Sequence, residues 1–86
     1  DTRDNLIGQL RELGLTVYDS GANFVLVRFG DPERARRVFD ALRGRTILTR
    51  YFNSRGLDDC LRVTIGTETD MDVFRRELGD IVGKEA

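Results

Sequence analysis

The sequence predicts an α+β sandwich of element order αββαββα, a mostly antiparallel sheet with helices packed on one face. Three observations predict it. Apolar residues recur at helical spacing in three separate stretches, the last being Met71, Phe74, Leu78 and Ile81. Between them lie short runs rich in β-branched and aromatic residues, at 23–29, 47–52 and 61–65. The connections are short, with a single Pro and no repeat, linker or low-complexity tract. At 86 residues the chain is long enough for one domain, residues 1–86.

The first helix is expected over residues 2 to 13, with Leu6, Ile7, Leu10 and Leu13 on one face and Gly14 as its stop. A short strand follows at Leu15, Val17 and Tyr18, and Ser20-Gly21 marks a turn. The run from Asn23 to Phe29 is the strongest strand. Its apolar residues do not alternate, so both of its faces are expected to be largely covered. Asp31 as N-cap and Pro32 in the first turn open the second helix. Ala35, Val38, Phe39 and Leu42 form its buried stripe, and Gly44 is expected to end it. Arg34, Arg36, Arg37 and Arg43 line its polar side. They could dock a partner, but with Glu33 and Asp40 nearby and no interleaved aromatic they read as a solvated face. A strand at 47–52, a loop at 53–59 and a strand at 61–65 come next. Thr67 to Asp70 has the pattern of a capping box before the last helix.

Composition excludes several functions. Fourteen basic and 15 acidic residues give a formal charge of −1, which suits neither non-specific nucleic-acid binding nor a polybasic membrane contact. No apolar run approaches the ~20 residues that span a bilayer. With no His, the chain has no His-based metal site and no Ser-His-Asp chemistry of its own, and no metal site is expected. One Cys forbids an internal disulfide and suits a reducing cytoplasm. The chain opens Asp1-Thr2-Arg3-Asp4, without an initiator Met, and is expected to be trimmed from something larger.

Arg50 and Arg62 stand out because each lies in an apolar strand, where an unpaired charge is costly. If their strands pair around the 53–59 loop, the two guanidiniums converge near the loop end. A pair of arginine forks there would suit a carboxylate or phosphate. The alternative is that each reaches solvent or pairs with Asp58, Asp59 or Asp19. Asp58-Asp59-Cys60 could suggest a metal or a nucleophile. Without a His base, and with acids that raise a thiol pKa, it reads instead as a loop entering a strand beside a small buried Cys. Gly66 before the last helix could host an anion, but more simply permits a tight strand-to-helix turn. Tyr51 and Phe52 could flank a ligand or serve as edge packing.

Taken together, Ser20-Gly-Ala-Asn-Phe-Val-Leu-Val-Arg-Phe29, Ile47-Leu-Thr-Arg-Tyr-Phe52 and Gly56-Leu-Asp-Asp-Cys-Leu-Arg-Val-Thr-Ile-Gly-Thr67 resemble the C-terminal part of histidinol-phosphate aminotransferases. These are pyridoxal-phosphate enzymes of the aspartate-aminotransferase fold type. The resemblance covers nearly the whole chain. It implies the small domain of an enzyme whose large cofactor domain lies outside these residues, and a cytoplasmic, homodimeric parent. The parent would exchange an amino group between glutamate and imidazole-acetol phosphate in histidine synthesis. By the same resemblance, Arg62 of the Cys-Leu-Arg-Val-Thr-Ile-Gly motif and Arg50 would grip the substrate's phosphate or carboxylate, and Asn23 would lie near the site. The Schiff-base lysine and the cofactor contacts would belong to the large domain, and Lys84 matches no such motif. The isolated chain is therefore expected to be inert, to bind no pyridoxal phosphate, and to self-associate through the face that would meet the large domain. Two other readings stand beside this one. The parent could be a related aromatic-amino-acid aminotransferase or phosphothreonine decarboxylase, or the chain could be a free-standing module that binds an anion or a protein.

Overall fold

The computed structural model describes residues 2–47, 49–51 and 56–85. These form helices α1 (Thr2–Glu12), α2 (Pro32–Gly44) and α3 (Glu68–Gly83) and strands β1 (Thr16–Asp19), β2 (Phe24–Arg28), β3 (Arg50–Tyr51) and β4 (Cys60–Thr64). The order is the αββαββα of the sequence reading. The strands make one antiparallel sheet in the order β1-β2-β4-β3.

One face of this sheet carries the core. Val17, Val25, Val27, Leu61 and Val63 point to it and are almost fully buried, as are Leu6, Leu10, Val38, Leu42, Phe74 and Leu78 from the helices. α1 packs on β1 and α3, while α2 packs on α3, β3 and β4. At roughly 1.5–3 kcal/mol for each large apolar side chain taken out of water, this layer is the main favourable term in folding.

The opposite face is different. Burial along β2 alternates: Val25 and Val27 are buried, while Phe24, Leu26 and Arg28 are half-buried. Within the described residues the helices cover one face of this strand only, as the expected sandwich with helices on one face implies. Leu26 and Phe24 break the apolar–polar alternation of the sequence, yet no helix among the described residues covers them. The segment expected as a strand over 47–52 is also shorter. Only Arg50 and Tyr51 pair with β4, Ile47 and Thr49 lie outside the ladder, and Leu48 and Phe52 lie outside the described residues.

The helix ends show how local chemistry positions these layers. Asp31 caps α2 by accepting from the Glu33 amide at 3.2 Å, with Pro32 in the first turn, as the sequence implies. Gly44 does not end that helix in the left-handed conformation. Thr46 takes that role at φ +65°, and the Ile47 amide donates back to the Leu42 carbonyl at 2.9 Å. A β-branched residue in this region is strained by roughly 1–2 kcal/mol. At α3, Thr67 accepts from the Asp70 amide at 3.1 Å. Gly66 does not have a positive φ. A β-carbon there would lie 3.0 Å from Asp70 Oδ2, so this glycine leaves room for the Asp70 side chain.

Arg45, just past α2, ties the helix layer together by donating to Glu77 at 2.6 Å and Asp80 at 2.8 Å on α3. Three of the four arginines on the polar side of α2 lie near a carboxylate, two of them near Glu85 beyond α3. Arg34 bonds Glu85 at 2.9 Å, and Arg36 lies 3.9 Å from Asp40.

Two outcomes follow for the 86-residue chain. Thr46→Gly relieves the left-handed strain and should raise stability by about 1 kcal/mol in urea unfolding. The bonds from Arg45 and Lys84 hold the Asp80 carboxyl below its ordinary value, so their contribution is complete at neutral pH. It is lost as pH falls below about 4 and through the lowered folded value. Asp80→Asn should remove this small, salt-screened increment at pH 7 and flatten the acid limb of stability measured over that range.

Candidate functional site

The helix-free face of the sheet gathers the residues that sequence reasoning singled out. The registers align Tyr18 with Leu26, Leu26 with Arg62, and Arg62 with Arg50, so one row of side chains crosses all four strands. Beside it, Thr16, Arg28 and Cys60 form a second row, and Phe24 and Thr64 a third. Arg50 and Arg62 are direct cross-strand partners, as proposed for strands pairing around the 53–59 loop. Like charges placed opposite one another destabilise a sheet.

Their carboxylate partners do not materialise. Asp59 bonds Arg28 with both oxygens, at 2.6 and 2.8 Å, and Asp19 bonds Arg3 at 3.2 Å. Among the described residues no carboxylate lies within ion-pair distance of Arg50 or Arg62. The Arg62 guanidinium lies 5.0 Å from the centre of the Phe24 ring, and its Nε is buried without a hydrogen-bond partner. Phe24 pairs with Thr64, at the end of the ladder away from Cys60. Arg62 therefore leans away from the loop, toward Asn23, whereas the sequence reading placed the convergence at the loop end. Asn23 is exposed and precedes Phe24, and its carbonyl accepts from the Ile65 amide at 2.7 Å.

Tyr51 is not part of this face. It pairs with Leu61 on the core side and sits 5.9 Å from the Phe39 ring, so edge packing is its role. Phe52 lies outside the described residues.

Arg28 is the charged residue of this face that the sequence reading did not single out. It bonds Asp59, donates to the Gly56 carbonyl at 3.2 Å and lies 5.6 Å from the Tyr18 ring centre. The guanidinium thereby fastens the 56–59 turn to the sheet, helped by the Phe29 amide on the Asp59 carbonyl at 2.8 Å. Cys60 is fully buried, and its thiol lies 3.6 Å from Asp59 Oδ1. Burial raises the thiol pKa; the Arg28 charge opposes this and the Asp59 charge adds to it. This is the opposite of what a nucleophile requires.

Chemically, the face offers cations without bound counter-ions beside exposed Tyr18 and half-buried Phe24 and Leu26. It offers no amine for a Schiff base: Lys84, the only lysine, is exposed beyond α3 and lies 3.2 Å from Asp80. The donor set does not fit pyridoxal phosphate. No described helix is long and apolar enough to cross a membrane.

The chain matches the model of the aminotransferase class I and II family over residues 1–78, and it belongs to that family. It is 42% identical over 82 residues to the histidinol-phosphate aminotransferase of Roseiflexus castenholzii, covering 92% of this chain and 22% of that protein. It is 45% identical over 82 residues to the histidinol-phosphate aminotransferase of Paramagnetospirillum magneticum, covering 91% and 22%. Among solved structures it superposes with TM-score 0.89 and 25% identity on the histidinol-phosphate aminotransferase of Sinorhizobium meliloti in complex with pyridoxal-5'-phosphate, over 99% of this chain and 24% of that one. The chain thus spans less than a quarter of the length of these relatives.

The buried, high-pKa thiol gives a direct check. At pH 8 Cys60 should react with a disulfide reagent such as DTNB far more slowly in the native chain than in guanidinium-unfolded chain. Rapid native labelling would place the thiol at the surface.

Proposed function

We propose that these residues form the C-terminal small domain of a histidinol-phosphate aminotransferase-like enzyme, and that Arg62 and Arg50 hold the anionic group of its substrate. The observation that carries this reading is the cross-strand pair of arginines with no carboxylate partner among the described residues. A sheet gains nothing from two facing guanidiniums, but an anion placed between them converts repulsion into two charge-assisted contacts. The relatives supply the substrate class: those compared are named histidinol-phosphate aminotransferases.

On this reading Arg62 is the main anchor. It is half-buried and flanked by Phe24, where a charge is less screened than at the surface. Arg50 is exposed and can swing to meet either a phosphate or the shorter carboxylate of glutamate. Asn23 borders the same end of the sheet. Tyr18, Leu26 and the rest of the helix-free face would meet the large domain of the same chain, and closing that contact would exclude water from the arginines. The Schiff-base lysine and the seat of pyridoxal phosphate belong to that large domain, so the 86 residues alone are inert and bind no cofactor. We place the parent in the cytoplasm as a homodimer, and expect the isolated chain to self-associate through its uncovered face.

The test is made in the full-length aminotransferase that carries this chain. Arg62→Ala should lower kcat/KM for both histidinol phosphate and glutamate by ~30-fold or more, the scale of removing one partner from a desolvated charge contact. The absorbance of bound pyridoxal phosphate should be unchanged. Arg50→Ala should act in the same direction with a smaller effect. Normal kcat/KM for both substrates in Arg62→Ala overturns the assignment, and preferential turnover of phenylalanine or phosphothreonine overturns the substrate.

A further inference from the structure

We infer that Phe24 is a positioning residue for Arg62, a face-on aromatic shelf that fixes the guanidinium while leaving its charge uncancelled and its donors open. The inference rests on the reading of Arg62 as the anion anchor and names what prepares it.

Four arginines lie over aromatic rings: Arg28 over Tyr18 at 5.6 Å, Arg34 over Phe29 at 5.5 Å, Arg36 over Tyr51 at 5.6 Å and Arg62 over Phe24 at 5.0 Å. Three of them also hold a carboxylate. Arg28 bonds Asp59, Arg34 bonds Glu85, and Arg36 lies 3.9 Å from Asp40. Arg62 holds none among the described residues, and its ring contact is the shortest of the four.

The contrast with Arg28 is the sharpest, since the two share one sheet face. Arg28 opposes Cys60 and Arg62 lies two residues further along the same strand. Arg28 is held by a carboxylate and a carbonyl through its two Nη groups, so its charge and its terminal fork are already engaged, although its Nε, like that of Arg62, is buried without a partner. Arg62 is held by a ring.

A flexible arginine loses substantial rotamer freedom when it grips a ligand. A carboxylate would remove that freedom beforehand, but it would also neutralise the charge and compete with the incoming anion. An aromatic face attracts the guanidinium through its quadrupole and contacts the flat side, so the in-plane N–H edge stays available. The geometry on the sheet permits this: Phe24 pairs with Thr64 and Leu26 with Arg62, which makes Phe24 and Arg62 diagonal neighbours on one face. The Arg62 Nε is buried with no partner, which leaves the two terminal Nη groups as the fork presented to a ligand.

The experiment uses the full-length aminotransferase and steady-state kinetics with histidinol phosphate. Phe24→Leu keeps apolar bulk but removes the ring. It should raise KM by about threefold to tenfold, in line with the strength of a partly desolvated cation–π contact, with kcat within about twofold of the parent value. Phe24→Tyr should restore KM. In an Arg62→Ala background, Phe24→Leu should have no further effect on KM, a coupling that a general packing defect would not produce. Thermal melting of each variant checks that the fold is retained. An unchanged KM in Phe24→Leu, beside an impaired Arg62→Ala, overturns this inference and leaves the anion-site reading standing. So does a KM rise that persists undiminished in the Arg62→Ala background. A normal kcat/KM in Arg62→Ala overturns the anion site and, with it, any role for Phe24 in preparing that site.

Discussion

Slide β2 against β4 by one residue and every side chain on the moved strand changes face. Val25 and Val27 would leave the helices for solvent, or Arg62 would be driven into the core beside Leu78 and Leu42. The native register avoids both by aligning Val25 with Val63 and Val27 with Leu61 on the helix side, and Leu26 with Arg62 on the other. These two strands are the centre of the sheet, with β1 and β3 added at its edges. The hydrophobic drive to seat four aliphatic residues under the helices thus also decides where Arg62 stands, and β3 then brings Arg50 opposite it. Core packing and the candidate site are two faces of one pairing.

Much of this was legible because it is local. Asp31-Pro32 before an apolar stripe, Gly14 after one, and the alternation Leu61, Val63, Ile65 are short-range signals with short-range causes. The adjacency of Arg50 and Arg62 was legible conditionally, since strands flanking a short loop tend to pair. What stayed hidden depends on partners distant in sequence. Asp59 could have bonded any nearby arginine; it bonds Arg28, 31 residues away, because that residue opposes Cys60 across the ladder. The direction in which Arg62 leans depends on a rotamer and on the Phe24 ring, neither of which has a sequence pattern. Gly44 is the last residue of α2, as the sequence implies, but it is Thr46 that takes the strained left-handed conformation and lets Ile47 return its amide to Leu42, and no propensity marks that.

The helix-free face of β2 is the most instructive part of the sheet. A strand without alternation signals that both sides meet apolar surroundings. Here three helices cover one side, and Phe24 and Leu26 on the other remain half-buried. The composition of the strand and the structure of the described residues differ in one direction: the strand is more apolar than its surroundings among those residues require. The family relatives are more than four times longer than the stretch they share with this chain, and we propose that this face meets the large domain.

The same face carries an electrostatic arrangement that stability alone does not favour. Two facing arginines and a buried, unpartnered Nε each cost free energy, and the chain has Asp58 and Asp59 close in sequence, and Asp19 on the same sheet, with which to neutralise them. Two of these carboxylates are committed elsewhere, Asp59 to Arg28 and Asp19 to Arg3. Arg28 fastens a turn, a task for which a closed ion pair is well suited. Arg62 stands on an aromatic ring, which orients a cation without cancelling it. This surface neutralises one arginine and leaves its neighbour without a carboxylate. That difference, more than the presence of arginines in strands, is what supports our proposal of an anion site on this face.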